Sequence, residues 1–300
     1  MTRANRPAGS AVTLDTPPLV IIGAGRSGTN MLRDCLTRLD GLVTWPCDEI
    51  NYIWRYGNRS EPTDEFPASL ARSEVIDFIR SRFADIARRQ GTAQGSVSPI
   101  VVEKTCANSL RVPFIDAVLP EARYLYLVRD GRDVINSVMQ RWKAPLDLRY
   151  IAAKARYVPV TDLPYYAGSY ALNRLKKLRS KEGALSVWGP RFQGMQDIAA
   201  KEDLRAVCAA QWARCIEKSD QAFENIASNR VLRIHYEDFV KSPVENLEAV
   251  AAFVERPIST EDAARAAAEV RVGSVGKGSR AFDSGTLSFM QNALSQHGYN

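Results

Sequence analysis

Pro18-Leu19-Val20-Ile21-Ile22-Gly23-Ala24-Gly25-Arg26-Ser27-Gly28-Thr29-Asn30 is the stretch that decides the architecture. Residues 18–22 carry no polar side chain, the pattern of a short strand buried on both faces. Three glycines then turn the chain, and over 28–39 the apolar side chains of Met31, Leu32, Cys35, Leu36 and Leu39 fall on one helical face. Strand, glycine turn and helix in that order open a parallel α/β sheet. The same alternation continues outward, with further short strands predicted at 99–102, 124–128 and 230–234, the first two apolar throughout and the last carrying Arg230 and Arg233. Helical periodicity is predicted at 73–89, 109–119, from an Asp130 cap to about 142, and at 201–227, 243–254 and 259–270. Short apolar strands separated by helices specify a parallel sheet covered on both sides.

Composition agrees with such a domain. The chain has 300 residues, 45% of them hydrophobic and 25% charged, with 18 Gly and 15 Pro, which excludes collagenous, low-complexity and mainly disordered classes. Its net charge of +6 is concentrated. Between Arg141 and Arg191 there are eleven basic residues against three acidic ones, and Pro145, Pro159, Pro164 and Pro190 break the periodicity there. Residues 143–200 therefore read as a partly helical, partly irregular insertion in a single domain spanning 17–300, behind a disordered polar start at 1–16. Five cysteines, an odd number without zinc-knuckle spacing, read as reduced structural thiols, with Cys208 and Cys215 on the apolar stripe of a helix. No apolar run reaches the roughly 20 residues of a membrane span, and the expectation is a cytoplasmic protein.

A glycine loop between a strand and a helix is where backbone N–H groups and the positive end of the helix dipole meet an anion, so a phosphate is the expected guest. Gly23, Gly25 and Gly28 satisfy the G-x-G-x-x-G dinucleotide pattern, and Asp48 lies where a ribose-binding acid would be sought. The triphosphatase pattern fits badly, since its lysine position holds Thr29 and its magnesium-hydroxyl position holds Asn30. A glycine turn without any ligand also satisfies the spacing.

With Arg26 inside the loop and Ser27-Gly28-Thr29 after it, the segment resembles the 5′-phosphosulfate loop of the sulfotransferases that use 3′-phosphoadenosine 5′-phosphosulfate (PAPS). Four later segments resemble the same family, in its order. Arg129 and Ser137, eight residues apart, resemble its 3′-phosphate motif; the bland alternative is an Arg129–Asp133 surface pair on a capped helix. Glu103-Lys104-Thr105 resembles the segment of the carbohydrate and tyrosylprotein branches whose lysine assists the leaving group. Cys47-Asp48-Glu49-Ile50 resembles the acidic segment that supplies their general base, with Glu49 as base and Asp48 as the other candidate. Residues 271–280, alternating small and basic, resemble the loop that closes over PAPS but lack its frequent tryptophan. His235-Tyr236-Glu237-Asp238 resembles a further family segment with a packing role.

The resemblance implies a P-loop-like parallel sheet of about four to five strands flanked by helices. It implies sulfuryl transfer from PAPS to an acceptor hydroxyl or amine, leaving PAP, with no metal. Glu49, Lys104 and Arg26 would carry the chemistry, and Gly25, Arg26, Ser27, Gly28, Thr29, Asn30, Arg129, Ser137, Lys277, Gly278 and Arg280 would hold the nucleotide. The charged insertion, with its tryptophans and tyrosines, suits an anionic acceptor such as an acidic glycan, glycolipid or peptide. Nucleic acid is disfavoured because no recognised binding module accompanies the charge. Two other classes use the same glycine loop: an NAD(P)-dependent oxidoreductase, and a non-catalytic nucleotide- or polyanion-binding protein in which Glu49 and Lys104 are only a surface pair.

Overall fold

The computed structural model describes residues 12–95, 98–143, 189–271, 273, 275–278, 282 and 284–299. In chain order these form β1 Leu19–Ile22, α1 Thr29–Leu36, β2 Leu42–Val43, α2 Asn51–Trp54, α3 Ser73–Gln94, β3 Ile100–Lys104, α4 Val112–Val118, β4 Arg123–Val128 and α5 Gly131–Lys143. After the basic segment come α6 Met195–Lys201, α7 Leu204–Phe223, β5 Val231–His235, α8 Tyr236–Lys241, α9 Pro243–Phe253, α10 Thr260–Ala267, α11 Ser284–Ser288 and α12 Gln291–Gln296. The five strands are all parallel and ordered β2-β3-β1-β4-β5, with Ile21 opposite Lys104 and Ile22 opposite Tyr126.

Side-chain alternation sorts the sheet into two cores. Val20, Ile22, Tyr124, Tyr126 and Val128 face α3, α4, α5 and α7, where Phe83, Phe114, Ile135 and Trp212 are buried. Leu19, Ile21, Leu125 and Leu127 face α1 and α8 to α10 through Leu32, Leu36, Phe239, Leu247 and Val250. Both faces of β1 are dry, which is why its sequence is apolar without alternation.

The four expected strands are present, and the fifth is β2, whose two residues are too few to leave a periodic signal. Instead of one helix over 109–119 there is a 3-10 turn at Cys106–Leu110, then α4. Pro113 in the first turn of α4 has no N–H to donate back into that turn, and the Ser109 carbonyl instead accepts the Ser219 hydroxyl at 3.1 Å. The long helix expected at 201–227 starts later, at an Asp203 cap whose carboxylate accepts the Ala206 amide at 2.9 Å, and ends at Phe223.

The expected segment boundaries also shift. Residues 189–200 belong to the body of the domain, because Asp64 and Arg191 exchange two hydrogen bonds through Arg191's backbone and Phe192 and Met195 are buried. Most of the +8 segment, 144–188, lies outside the described residues. At the other end the polar start stops short of Thr16: Val12 is buried, its carbonyl accepts Arg80 Nε at 2.5 Å, and the Thr16 hydroxyl donates to Pro99. Residues 1–11 lie outside the described residues. Among the described residues no helix is long and apolar enough to cross a membrane.

The strand order separates the loop from the dinucleotide pattern. In that pattern the strand after the first helix pairs with the first strand and presents the ribose acid. Here β3 stands between β1 and β2, and Asp48 points back to α1, accepting Asn30 Nδ2 at 2.8 Å and Arg33 at 3.3 Å.

Candidate active site

Because β1, β3 and β4 are parallel neighbours, the residues following each strand meet along one edge of the sheet. The glycine loop after β1 is held close to that edge. A Cβ at Gly23 would stand 2.7 Å from the Leu127 carbonyl, and one at Gly28 would stand 2.5 Å from the Tyr236 ring. Gly28 also has φ +93°, and Arg26 takes a left-handed φ of 71°. The eight-residue α1 begins at Gly28 with no side-chain cap. Ser27 is fully buried, and its hydroxyl has no partner among the described residues. Such a set of backbone and hydroxyl donors at a helix start matches an anionic group.

Two residues of α5 and its approach close on this loop. Arg26 Nε donates to Ser137 Oγ at 2.9 Å, and Arg129 donates to the Arg26 carbonyl at 3.2 Å. The Arg129 guanidinium lies 4.2 Å over the Tyr236 ring, so Tyr236 packs the loop glycine and the arginine at once. Arg129 also lies 3.6 Å from Asp133, but this is a buried contact and not the surface pair that the sequence alone allows.

Asp133 in turn accepts the amide N–H groups of Gly276 and Gly278 at 2.8 and 2.5 Å. Asn136 reaches the Lys277 carbonyl at 3.4 Å. Residues 276–278 of the glycine-basic segment are thereby brought to the first turn of α5, next to Arg129. Arg280 lies outside the described residues.

At the end of β3, Lys104 Nζ donates to Glu49 Oε1 at 3.2 Å, and the Cys106 amide donates to the same oxygen at 3.3 Å. The Lys104 side chain is 1% exposed against 23% for Glu49, so the two are not a surface pair. Burial alone would lower the Lys104 ammonium, but Cys106, Glu49 and Asp48 around it raise it above the usual lysine range. The lysine is a fixed cation. Asp48 is engaged with Asn30 and Arg33, and Arg33 also donates to its carbonyl at 3.0 Å, so the carboxylate facing Lys104 is that of Glu49. Thr29 Oγ1 meets Cys106 Sγ at 3.9 Å and closes the gap between loop and strand end.

All five cysteines are free thiols. Burial pushes the Cys35 thiol up to about 11 and those of Cys106 and Cys208 up to about 12, which keeps them protonated and un-nucleophilic near neutrality. His235 is bound to the Tyr299 hydroxyl at 3.1 Å, in keeping with a structural role. Asp133 and Tyr236 are the members of the cluster that the sequence undersells. Asp133 reads there only as a surface partner of Arg129 on a capped helix, and the two glycine amides it accepts lie 143 and 145 residues away.

The model of the sulfotransferase family matches residues 17–174 and 184–261, more than half of the chain. The chain belongs to the sulfotransferase family. No match to a curated protein was found. Among solved structures, the fold of this sulfotransferase is similar to that of the sulfotransferase domain of the Synechococcus PCC 7002 olefin synthase, at 13% identity over 100% of this chain and 99% of that one, with a TM-score of 0.55. It is also similar to the sulfotransferase domain of the curacin biosynthetic pathway, at 16% identity over 96% and 99% of the two chains, with a TM-score of 0.52. A more distant likeness is to mouse sulfotransferase SULT7A1 complexed with PAP, at 12% identity over 89% of this chain and 68% of that one, with a TM-score of 0.39.

Proposed function

We propose that this sulfotransferase moves the sulfuryl group of PAPS to an acceptor hydroxyl or amine, with Glu49 as general base and Lys104 and Arg26 stabilising the departing charge. The observation that carries the reading is the junction of Arg26 with Ser137 and of Arg129 with the Arg26 carbonyl. Motifs 111 and 103 residues apart in sequence are thereby joined, which supports a ligand that carries a phosphate at each end. The buried Ser27 hydroxyl and the uncapped start of α1 fit a phosphosulfate, and an arginine fork fits a 3′-phosphate dianion.

PAPS, when bound, supplies a sulfuryl group on a phosphate anhydride, a leaving group that carries less charge than a triphosphate tail. Gly25, Arg26, Ser27, Gly28, Thr29 and Asn30 would hold its 5′ end, and Arg129, Ser137, Lys277, Gly278 and Arg280 its 3′-phosphate. Glu49 takes the acceptor's proton as the new bond to sulfur forms, and the old sulfur–oxygen bond breaks toward the phosphate. Lys104 and Arg26, fixed beforehand by Glu49 and Ser137, stabilise the negative charge growing on that bridging oxygen. The reaction is in-line and its main demand is positioning.

For the acceptor, the support is the charge and aromatic content of residues 141–191, which favours an acidic glycan, glycolipid or peptide. Five free thiols favour a reducing compartment, the cytoplasm. Calorimetric titration with PAP and with adenosine 5′-phosphate tests the reading. PAP is expected to bind at least about 30-fold more tightly, the worth of one charge-assisted fork. Equal affinities would contradict the assignment of Arg129.

A further inference from the structure

Beside the Lys104–Glu49 contact lies a buried carboxyl that the reaction above does not use. Glu103 is 1% exposed, and its two carboxyl oxygens meet the Thr105 hydroxyl and the Asn108 side-chain NH2. The Thr105 hydroxyl lies 3.2 Å from the Ile50 amide and 2.6 Å from Glu103 Oε1. An amide N–H can only donate, so the hydroxyl accepts from Ile50; toward Glu103 it gives its proton when that carboxyl is ionised and accepts the carboxyl's proton when it is not, and the link holds in both states. On the other side Arg111 Nε, which can only donate, fixes Asn108 Oδ1 at 2.9 Å. That turns Asn108 Nδ2 to Glu103 Oε2 at 2.7 Å. The fully buried Arg111 reaches on to Asn51 Oδ1 at 2.6 Å.

Both lines end on the same short segment. Ile50 is tied by its backbone and Asn51 by its side chain, and the residue just before them is Glu49. We propose that Glu103 is the positioning residue for Glu49, holding residues 49–51 through Thr105 and through Asn108 and Arg111 so that the Glu49 carboxylate stays on Lys104. The role follows from geometry: both lines terminate on the two carboxyl oxygens of Glu103, and neither line touches the glycine loop or Arg129. It rests on the PAPS reading for its catalytic half and on the contacts alone for its structural half. Removing the tether is therefore expected to loosen Glu49 and slow the chemistry while nucleotide affinity stays intact.

Thr105→Val removes the hydroxyl at nearly constant shape, and Thr105→Ser restores it. Glu103→Gln replaces one carboxyl oxygen by an NH2 that faces either the Thr105 hydroxyl or the Asn108 NH2. The experiment measures hydrogen exchange at the Ile50 amide, PAP affinity by calorimetry, and the hydrolysis of PAPS to PAP and sulfate with water as acceptor, which needs no identified substrate. Thr105→Val is expected to exchange at Ile50 at least about tenfold faster and to turn over at least about tenfold more slowly, with PAP affinity within about threefold of wild type. Thr105→Ser should bring both back to within about threefold, and Glu103→Gln should follow Thr105→Val in turnover. Wild-type turnover in Thr105→Val, or PAP affinity falling in step with turnover, overturns the proposal. Should Thr105→Val fail to fold, Glu103→Gln decides, with unchanged turnover again overturning it. A wild-type protein that binds no PAP contradicts the sulfuryl-transfer reading and the catalytic half with it. Slow, unperturbed exchange at Ile50 in Thr105→Val would separately overturn the tether.

Discussion

Asp133 accepts the backbone N–H of Gly278 at 2.5 Å, and that bond ties the glycine-basic segment to the same carboxylate that stands 3.6 Å from Arg129. One side chain thus holds a candidate phosphate cation and the segment expected to close beside it. There is no room for a side chain at the junction, since a Cβ at Gly278 would overlap the Arg132 carbonyl. Gly278→Ala is expected to push the segment off α5 and to weaken PAP by about tenfold, the worth of one lost charge-assisted contact. Asp133→Asn, which keeps one acceptor and turns an NH2 toward the other amide, should act in the same direction. Calorimetry reads both, and wild-type PAP affinity in Gly278→Ala would show that the segment takes no part in nucleotide binding.

Binding and chemistry should separate by residue. Arg129→Ala is expected to weaken PAP by about 2 kcal/mol, because a dianion loses a charge-assisted fork. Glu49→Gln should leave PAP affinity nearly unchanged and lower turnover by roughly 100-fold or more, the usual worth of a general base. Lys104→Ala should lower turnover more than affinity. Comparing PAP titrations with PAP release from PAPS checks all three. Full activity in Glu49→Gln across a pH range would pass the role to Asp48.

Much of this was legible in the chain itself. An apolar run such as residues 19–22 followed by spaced glycines has few other folded solutions, so the parallel sheet and the loop could be read before any coordinates. The Arg129 and Ser137 spacing likewise survives folding, since Arg129 lies two residues before α5 and Ser137 on it, and both bond Arg26 of the loop. What could not be read are contacts without local signature. The two residues of β2 pair with Ile100 and Val101, nearly 60 residues further on, and Asp133 finds Gly276 and Gly278 across more than 140 residues. The Glu103-Lys104-Thr105 string showed a motif, but not that its lysine turns to Glu49 while its glutamate and threonine turn to a separate buried network. That division comes from strand alternation combined with the path of residues 49–51, which no periodicity encodes.

The pH dependence of stability offers a check on that network. Burial pushes the Glu103 carboxyl up to about 7 from an ordinary 4.5, outweighing the Thr105 hydrogen bond and the nearby Arg111 and Lys104 cations. Between those two values the unfolded chain has lost this proton and the folded chain still holds it, so stability falls as pH rises. The whole contribution is on the order of 3 kcal/mol. Glu103→Gln has no such proton. The stability difference, wild type minus variant, is therefore expected to shrink from about pH 4.5 to about 7 and then level off in urea titrations; parallel curves would show that Glu103 ionises normally.

If the basic segment meets the acceptor, salt should matter more to the acceptor than to the chemistry. Exposed charges are screened beyond about 8 Å at physiological ionic strength. Acidic acceptors offered with PAPS are expected to be sulfated ahead of neutral phenols, and raising salt should raise the acceptor KM with little change in kcat. Salt-independent sulfation of a neutral phenol, with every acidic acceptor ignored, would exclude residues 141–191 as the acceptor site.

PAP is the nucleotide expected on the joined surface of Arg26, Ser27, Arg129 and Ser137. Thermal unfolding of the full chain with PAP, NAD or ATP in turn measures that assignment without any acceptor. PAP at about 100 times its dissociation constant is expected to stabilise the fold by roughly 2.7 kcal/mol, with NAD and ATP producing little shift. Stabilisation by NAD with none from PAP would contradict it.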